Sequence, residues 1–178
     1  MNHLLATIII SIFVFSSTVT TRAQEIGDKL PELNVTDWIL GDQSRVGKWG
    51  DGKVYILEIW GTWCLPCIKI MPELTKLQKE FGDKGLVVIG YSWEKPEILH
   101  KFVKENHAKI GYTIVGDTEE KTVGMLNENG AIQGFPYSFL VGPDGKILWK
   151  GNSKGTARAV KQYFSGKPID FDDGTPVF

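Results

Sequence analysis

Cysteine is almost missing from this chain of 178 residues: there are two, Cys64 and Cys67, three positions apart. A framework of structural disulfides is thereby excluded, and a single bridge across so short a span removes little unfolded-chain entropy. Redox chemistry explains such a pair better than a staple does. Histidine is scarce as well: His3 sits near the N-terminus, and His100 and His107 are seven apart. On one helix that separation is about 10 Å along the axis, too far to share a metal ion. A zinc site on Cys64 and Cys67 would lack two nearby ligands, so neither metal nor cofactor is expected. Neither sign of charge dominates, with 20 Lys and Arg against 21 Asp and Glu, and no basic run points to nucleic acid. Internal repeats and low-complexity linkers are absent too.

Long apolar runs are also lacking. Leu4 to Phe15 is a mostly apolar stretch of 12 residues, broken by Thr7 and Ser11, against the ~18 expected of a spanning helix. With Thr21-Arg22-Ala23 before Gln24 resembling a small-residue cleavage site, residues 1–23 read as a secretory signal peptide. Its segment before the core, Asn2-His3, carries no Lys or Arg. Left uncleaved, the same segment would be a membrane anchor; otherwise no membrane contact is expected. No cysteine precedes Cys64 to accept a lipid. Taking 23 residues from 178 leaves 155, and with Arg22 lost, 19 basic side chains face 21 acidic ones, a net charge of −2. That is the size of one domain, residues 24–178, with a core of about 28–166 and a loose tail at 167–178.

What is present is organised around Val54-Tyr55-Ile56-Leu57-Glu58-Ile59-Trp60 and the Trp63-Cys64-Leu65-Pro66-Cys67 that follows. The first run reads as a strand buried on both faces. Met71, Leu74, Leu77 and Phe81 then recur at helical spacing, with Gly82 and Gly85 bracketing the helix end. Cys64 thus falls at a helix start, where free N–H groups and the helix dipole favour a thiolate, and Cys67 lies one turn further, within disulfide reach. Pro66 suits a first helical turn.

Around this centre, Glu32 to Trp38 alternates as a half-buried strand and Gly41-Asp42 reads as a turn, with Trp38 and Trp49 as packing residues. Leu86 to Tyr91 is a second buried strand, and Pro96 opens a helix carrying Ile98, Leu99, Phe102 and Val103. Tyr112 to Val115 is a short strand, and Asp117-Thr118-Glu119-Glu120 resembles a capping box opening another helix. Ser138–Val141 and Lys146–Trp149 flank the turn Gly142-Pro143-Asp144-Gly145 as a hairpin. Ala157, Val160, Tyr163 and Phe164 mark a last helix.

Trp-Cys-x-Pro-Cys behind a strand with an acid six residues before the first cysteine resembles the thioredoxin superfamily. The wider pattern Gly61-Thr62-Trp63-Cys64, Cys67 and Met71-Pro72 is similar to its extracytoplasmic branch, the thioredoxin-like proteins related to cytochrome maturation. The resemblance covers residues 28–166. It implies an α/β, thioredoxin-like fold: a mixed central sheet flanked by helices, an N-terminal β-hairpin extension and a strand–helix insertion.

The resemblance also implies site roles. Cys64 is the expected nucleophile and the more exposed thiol, and Cys67 resolves the mixed disulfide. Glu58 matches the family's buried acid, expected to accept the Cys67 proton, its pKa raised by burial; the bland alternative turns it to solvent at a sheet edge. Pro136 matches the family's cis-proline. With Phe135, Trp63, Leu65 and Pro66 it would line the groove for a partner segment; the alternative is a trans proline ending a loop. Ile70 stands where cytochrome-maturation members often carry an acid. It and Ile68 either pack in the core or offer apolar surface beside the cysteines.

The implied function is an extracytoplasmic thiol–disulfide oxidoreductase, acting as a reductant of partner-protein disulfides and supplied by an upstream electron donor. Leu65 adds no cation to the thiolate, which favours a low potential, whereas Lys69 folded back would raise it. Two other classes compete. A soft-metal (copper) binding module would use both thiolates but fits poorly with three methionines. A thiol peroxidase would share the fold but needs Pro-x-x-x-Thr-x-x-Cys around Cys64, which is not there.

Overall fold

The structure is a computed structural model and describes residues 24–46 and 49–170. The expected leader at 1–23 and the tail from 171 onward lie outside the described residues. Ten main elements follow in order: β1 (Asp37–Leu40), β2 (Val54–Ile59), α1 (Leu65–Phe81), β3 (Leu86–Ser92), α2 (Pro96–Asn106), β4 (Thr113–Gly116), α3 (Lys121–Leu126), β5 (Tyr137–Val141), β6 (Ile147–Asn152) and α4 (Thr156–Phe164). They form one six-stranded mixed sheet in the order β1-β4-β3-β2-β5-β6. β2, β3 and β4 run parallel, and β1, β5 and β6 pair antiparallel to their neighbours.

Both faces of this sheet are covered, which is why β2 and β3 are buried at every position and read as unbroken apolar runs. On one face Ile56, Trp60, Val88, Ile114, Leu140 and Trp149 pack under α1, α2 and α4. Cys67, Met71, Leu74, Leu77 and Phe81 form the inward stripe of α1, and Phe81 stacks on Phe164 of α4 at 4.8 Å between ring centroids. On the other face Tyr55, Leu57, Val87, Ile89, Tyr91 and Phe139 meet Leu126 of α3 and the N-terminal segment. Residues of β2 at even positions, Glu58 among them, therefore face the α1 side.

Two expectations are corrected here. Among the described residues there is no N-terminal β-hairpin. Leu33 and Val35 belong to an extended strap, hydrogen-bonded at Gly27 and Asp28 to Ile147 at the start of β6, at Leu30 to Gly145 in the turn before it, and at Thr36 to Gly116 of β4. It crosses from one edge of the sheet to the other over the α3 face, so its alternating side chains, Leu33 and Val35, are half-buried against the sheet below without a ladder partner. The strand comes later, at β1, paired to β4. Nor does the Asp117 segment open its helix directly. Asp117 accepts the backbone N–H groups of Glu119 and Thr122, and Glu120 turns through a left-handed conformation (φ 56°) before α3 begins. The β5–β6 hairpin and the helices after Pro96 and before Phe164 follow the sequence expectation. Among the described residues, no helix is long and apolar enough to cross a membrane.

Candidate active site

The site is built where β2 leaves the middle of the sheet. Trp60 still donates to the carbonyl of Tyr91, 3.1 Å away, and the chain then turns upward. A Cβ on Gly61 would stand 2.6 Å from Nε1 of Trp63, so only glycine lets the indole lie back over this turn. Thr62 is anchored from the next strand: Glu94, just past β3, accepts its N–H at 2.6 Å and its hydroxyl at 2.7 Å. Cys64 then caps α1, its backbone extended (φ −88°, ψ 92°) and its Sγ accepting the N–H of Cys67 at 3.2 Å. Pro66 occupies the first turn, where its missing N–H costs nothing.

Cys64 and Cys67 are joined by a disulfide, with Cα atoms 5.3 Å apart. The expected contrast in exposure is slight in this oxidised form: Cys64 is 4% exposed and Cys67 1%. What projects is the flanking pair, Trp63 at 60% and Leu65 at 69%. The Cys67 N–H that donates to the Cys64 sulfur and the dipole of α1 both favour a thiolate at that position once the bond is reduced.

The mouth beside the disulfide is aromatic. Because β5 runs against β2, the segment before it arrives at the same end of the sheet as the loops after β2 and β3. Phe135 packs edge-on to Trp63 at 5.9 Å and against Trp93 at 5.1 Å, and the two indoles lie 6.3 Å apart. The Phe135–Pro136 peptide is cis, as the resemblance implies. Pro136 is buried, and its carbonyl accepts the N–H of Ser153 at 3.3 Å. Ile70 packs partly buried against the core beneath α1, Ile68 is half-buried, and Lys69 is exposed.

Glu58 lies inside the sheet, 1% exposed, not at a solvent edge. Its neighbours in register are Gly90 on β3 and Ser138 on β5. The small residue at 90 leaves room on this face: a Cβ there would meet Ile114, Trp60 and Tyr112 at 2.6, 3.1 and 3.2 Å. Oε2 of Glu58 accepts hydroxyl hydrogen bonds from Ser138 and from Ser153, the latter at 2.7 Å. Burial pushes its pKa up to about 8, against the opposing pull of the two hydroxyls. Tyr112, buried nearby, has its phenol raised well above the ordinary value by burial and by Glu58.

Fold and register therefore bring Cys64, Cys67, Trp63, Leu65, Pro66, Phe135 and Pro136 to one end of the sheet, with Glu58 on the same face. Sequence reasoning missed Trp93, Glu94, Ser153 and Thr156, and treated Ser138 only as a strand residue. Trp93 and Glu94 carried a signal, since they directly follow a buried strand next to the one feeding the cysteines. The arrangement can cycle between dithiol and disulfide, with a buried carboxyl, Glu58, on the same face of the sheet.

The comparisons agree with this geometry. Residues 26–150 match the model of the AhpC/TSA family. The thiol-disulfide oxidoreductase ResA of Bacillus thuringiensis subsp. konkukian is 32% identical over 141 residues, covering 78% of this chain and 76% of that protein. Among solved structures, the thioredoxin domain of a thiol-disulfide oxidoreductase from Bacteroides vulgatus superposes with a TM-score of 0.63 at 25% identity, over 79% of this chain and 99% of that one. A putative thiol:disulfide interchange protein DsbE from Chlorobium tepidum gives 0.63 at 24% identity, over 81% and 98%. From its strand–turn–helix disulfide to its matched length, the chain belongs to the AhpC/TSA family and is a relative of the ResA thiol-disulfide oxidoreductases.

Proposed function

We propose that this protein is an exported thiol–disulfide oxidoreductase that reduces disulfides in partner proteins through Cys64 and Cys67. The observation that carries the reading is the Cys64–Cys67 disulfide with Cys64 capping α1 between two exposed apolar side chains. In the reduced protein the Cys64 thiolate attacks a partner disulfide, forming a Cys64–partner bond and releasing the first partner thiolate. Cys67 gives its proton to Glu58 and attacks Cys64. The Cys64–Cys67 bond forms, the mixed disulfide breaks, and the electron pair leaves with the second partner sulfur. The partner gains two electrons and the pair loses them.

Trp63, Leu65, Pro66, Phe135 and Pro136 form the surface on which the partner segment rests. Export follows from the leader reading of residues 1–23, with residues 24–178 working as one thioredoxin-like unit. An exported pair drifts to the disulfide unless an electron donor reduces it, so a dithiol donor upstream completes the cycle.

Turnover of a protein disulfide with a small dithiol as regenerant tests the reading. The wild type accelerates reduction and Cys64→Ser abolishes the acceleration; equal rates would refute it. Peroxide offered in place of the disulfide separates this chemistry from that of a peroxidase. Equilibration with glutathione buffers tests direction: a reductant is oxidised across the range of an exported compartment, whereas a pair that stays reduced there is an oxidant or isomerase.

A further inference from the structure

We infer that Ser138, Ser153 and Thr156 are positioning residues for Glu58, holding its Oε2 and leaving Oε1 as the atom that takes and returns the Cys67 proton. This rests on Glu58 being the proton acceptor proposed above. Three elements converge to build the group: Ser138 sits opposite Glu58 in the β2–β5 register, Ser153 follows β6, and Thr156 is the first residue of α4. Ser138 and Ser153 donate to Oε2, their Oγ atoms are 2.8 Å apart, and Thr156 Oγ1 donates to Ser138 Oγ at 2.9 Å. All four side chains are buried. Among the described residues Oε1 has no hydrogen-bond partner.

Three hydroxyls side by side are an odd choice for packing alone. They sit in a layer with Leu140, Trp149 and Val160, where apolar residues would avoid the cost of burying polar groups. Their use lies in what a hydroxyl does that a cation does not. A lysine or arginine against Glu58 would hold it ionised; no salt bridge to Glu58 forms among the described residues. A hydroxyl has one proton and two lone pairs, so it donates to the carboxylate and stays bonded when the acid is protonated. The carboxyl keeps its orientation through the cycle while its charge comes and goes. Among the described residues, the other titratable groups in the core of this face are Cys64 and Cys67 at the start of α1 and Tyr112 from the segment before β4, with Tyr163 of α4 at its margin; burial and Glu58 keep the Tyr112 phenol protonated.

The test is the pH profile of the resolution step, in which Cys67 displaces a peptide thiol from Cys64. Ser153→Ala removes one hydrogen bond that favours the charged form. It moves the Glu58-dependent limb up by about one pH unit, so the rate at pH 7 falls roughly tenfold. Thr156→Val, nearly isosteric, shifts the limb in the same direction by less, and Thr156→Ser, which keeps the hydroxyl, restores it. In the Glu58→Gln background none of these changes the profile. The infrared band of the protonated carboxyl, lost in Glu58→Gln, moves to higher wavenumber in Ser153→Ala. Profiles and a carboxyl band that do not move in Ser153→Ala and Thr156→Val, while Glu58→Gln is slow, would overturn this inference alone. A Glu58→Gln protein with the wild-type profile would overturn the acceptor role beneath it.

Discussion

Glu58 is the residue whose surroundings and stability are most at odds. Its carboxyl is held in the middle of an apolar strand, where ionisation is opposed by burial and its pKa stands at about 8. Because that value is raised above the unfolded 4.5, the folded state binds the proton more tightly. The contribution to stability is therefore complete below the unfolded value and is lost as pH rises through the folded one. Denaturation by urea should show wild-type stability falling from pH 5 to 9. In Glu58→Gln that slope should flatten, with an advantage on the order of 3 kcal/mol at pH 7. The same variant should reduce disulfides about a hundredfold more slowly, having no acceptor for Cys67. A variant that is neither more stable at alkaline pH nor slower would place the carboxyl outside both roles. The acid itself is legible in the sequence as a charge in an apolar run. Ser153 and Thr156 are not, because they join it through contacts 95 and 18 residues long, to Glu58 and to Ser138. The registers of β2 on β5 and of β5 on β6 together bring them in.

Elements were legible to the degree that their burial is written locally. β2 and β3 are apolar at almost every position because both sheet faces are covered, and the stripe from Cys67 to Phe81 has one face to hide. The strap was misread as a hairpin strand because Leu33 and Val35 alternate just as a half-buried strand does, yet they are covered from the sheet face and not by a neighbouring strand. α3 begins late because Glu120 first turns through a left-handed conformation, while the Asp117 carboxylate reaches past it to the Thr122 N–H and also accepts from Tyr91 and Asn34. Cys64 caps α1 where the sequence places the helix start, and the potential of the cysteine pair should respond to charge placed there. Leu65 is exposed beside Cys64, so Leu65→Arg adds a cation near the thiolate without disturbing the core. The reduction potential should rise by about 10–20 mV, given that exposed pairs are worth under ~1 kcal/mol. Glutathione equilibration of both proteins measures it, and an unchanged or lower value would mean that the thiolate does not set the poise.

At the scale of the whole molecule, the redox end and the strap are on different parts of one sheet and should be separable. Asp117 is fully buried and ties three pieces together: Asn34 of the strap at 2.7 Å, the Tyr91 hydroxyl of β3 at 2.8 Å, and the Thr122 N–H of α3 at 2.9 Å. Burial alone would raise its pKa, but the hydrogen bonds, led by that of Thr122, bring it below the usual value. Its contribution is therefore present above the unfolded value and lost as pH falls. Asp117→Ala leaves buried donors without an acceptor and should cost roughly 3 kcal/mol in urea denaturation, with the rate of Cys64 attack unchanged. A loss confined to catalysis would contradict that division. In the function proposed above, the fold presents one sulfur, Cys64, to a partner disulfide and keeps the second for release. This claim is tested most directly by mixing reduced Cys67→Ser and Cys64→Ser proteins with a peptide disulfide and following the mixed disulfide by intact mass. Cys67→Ser should form a stable peptide adduct joined through Cys64, and Cys64→Ser none. Adducts formed equally by both variants, or only through Cys67, would contradict it.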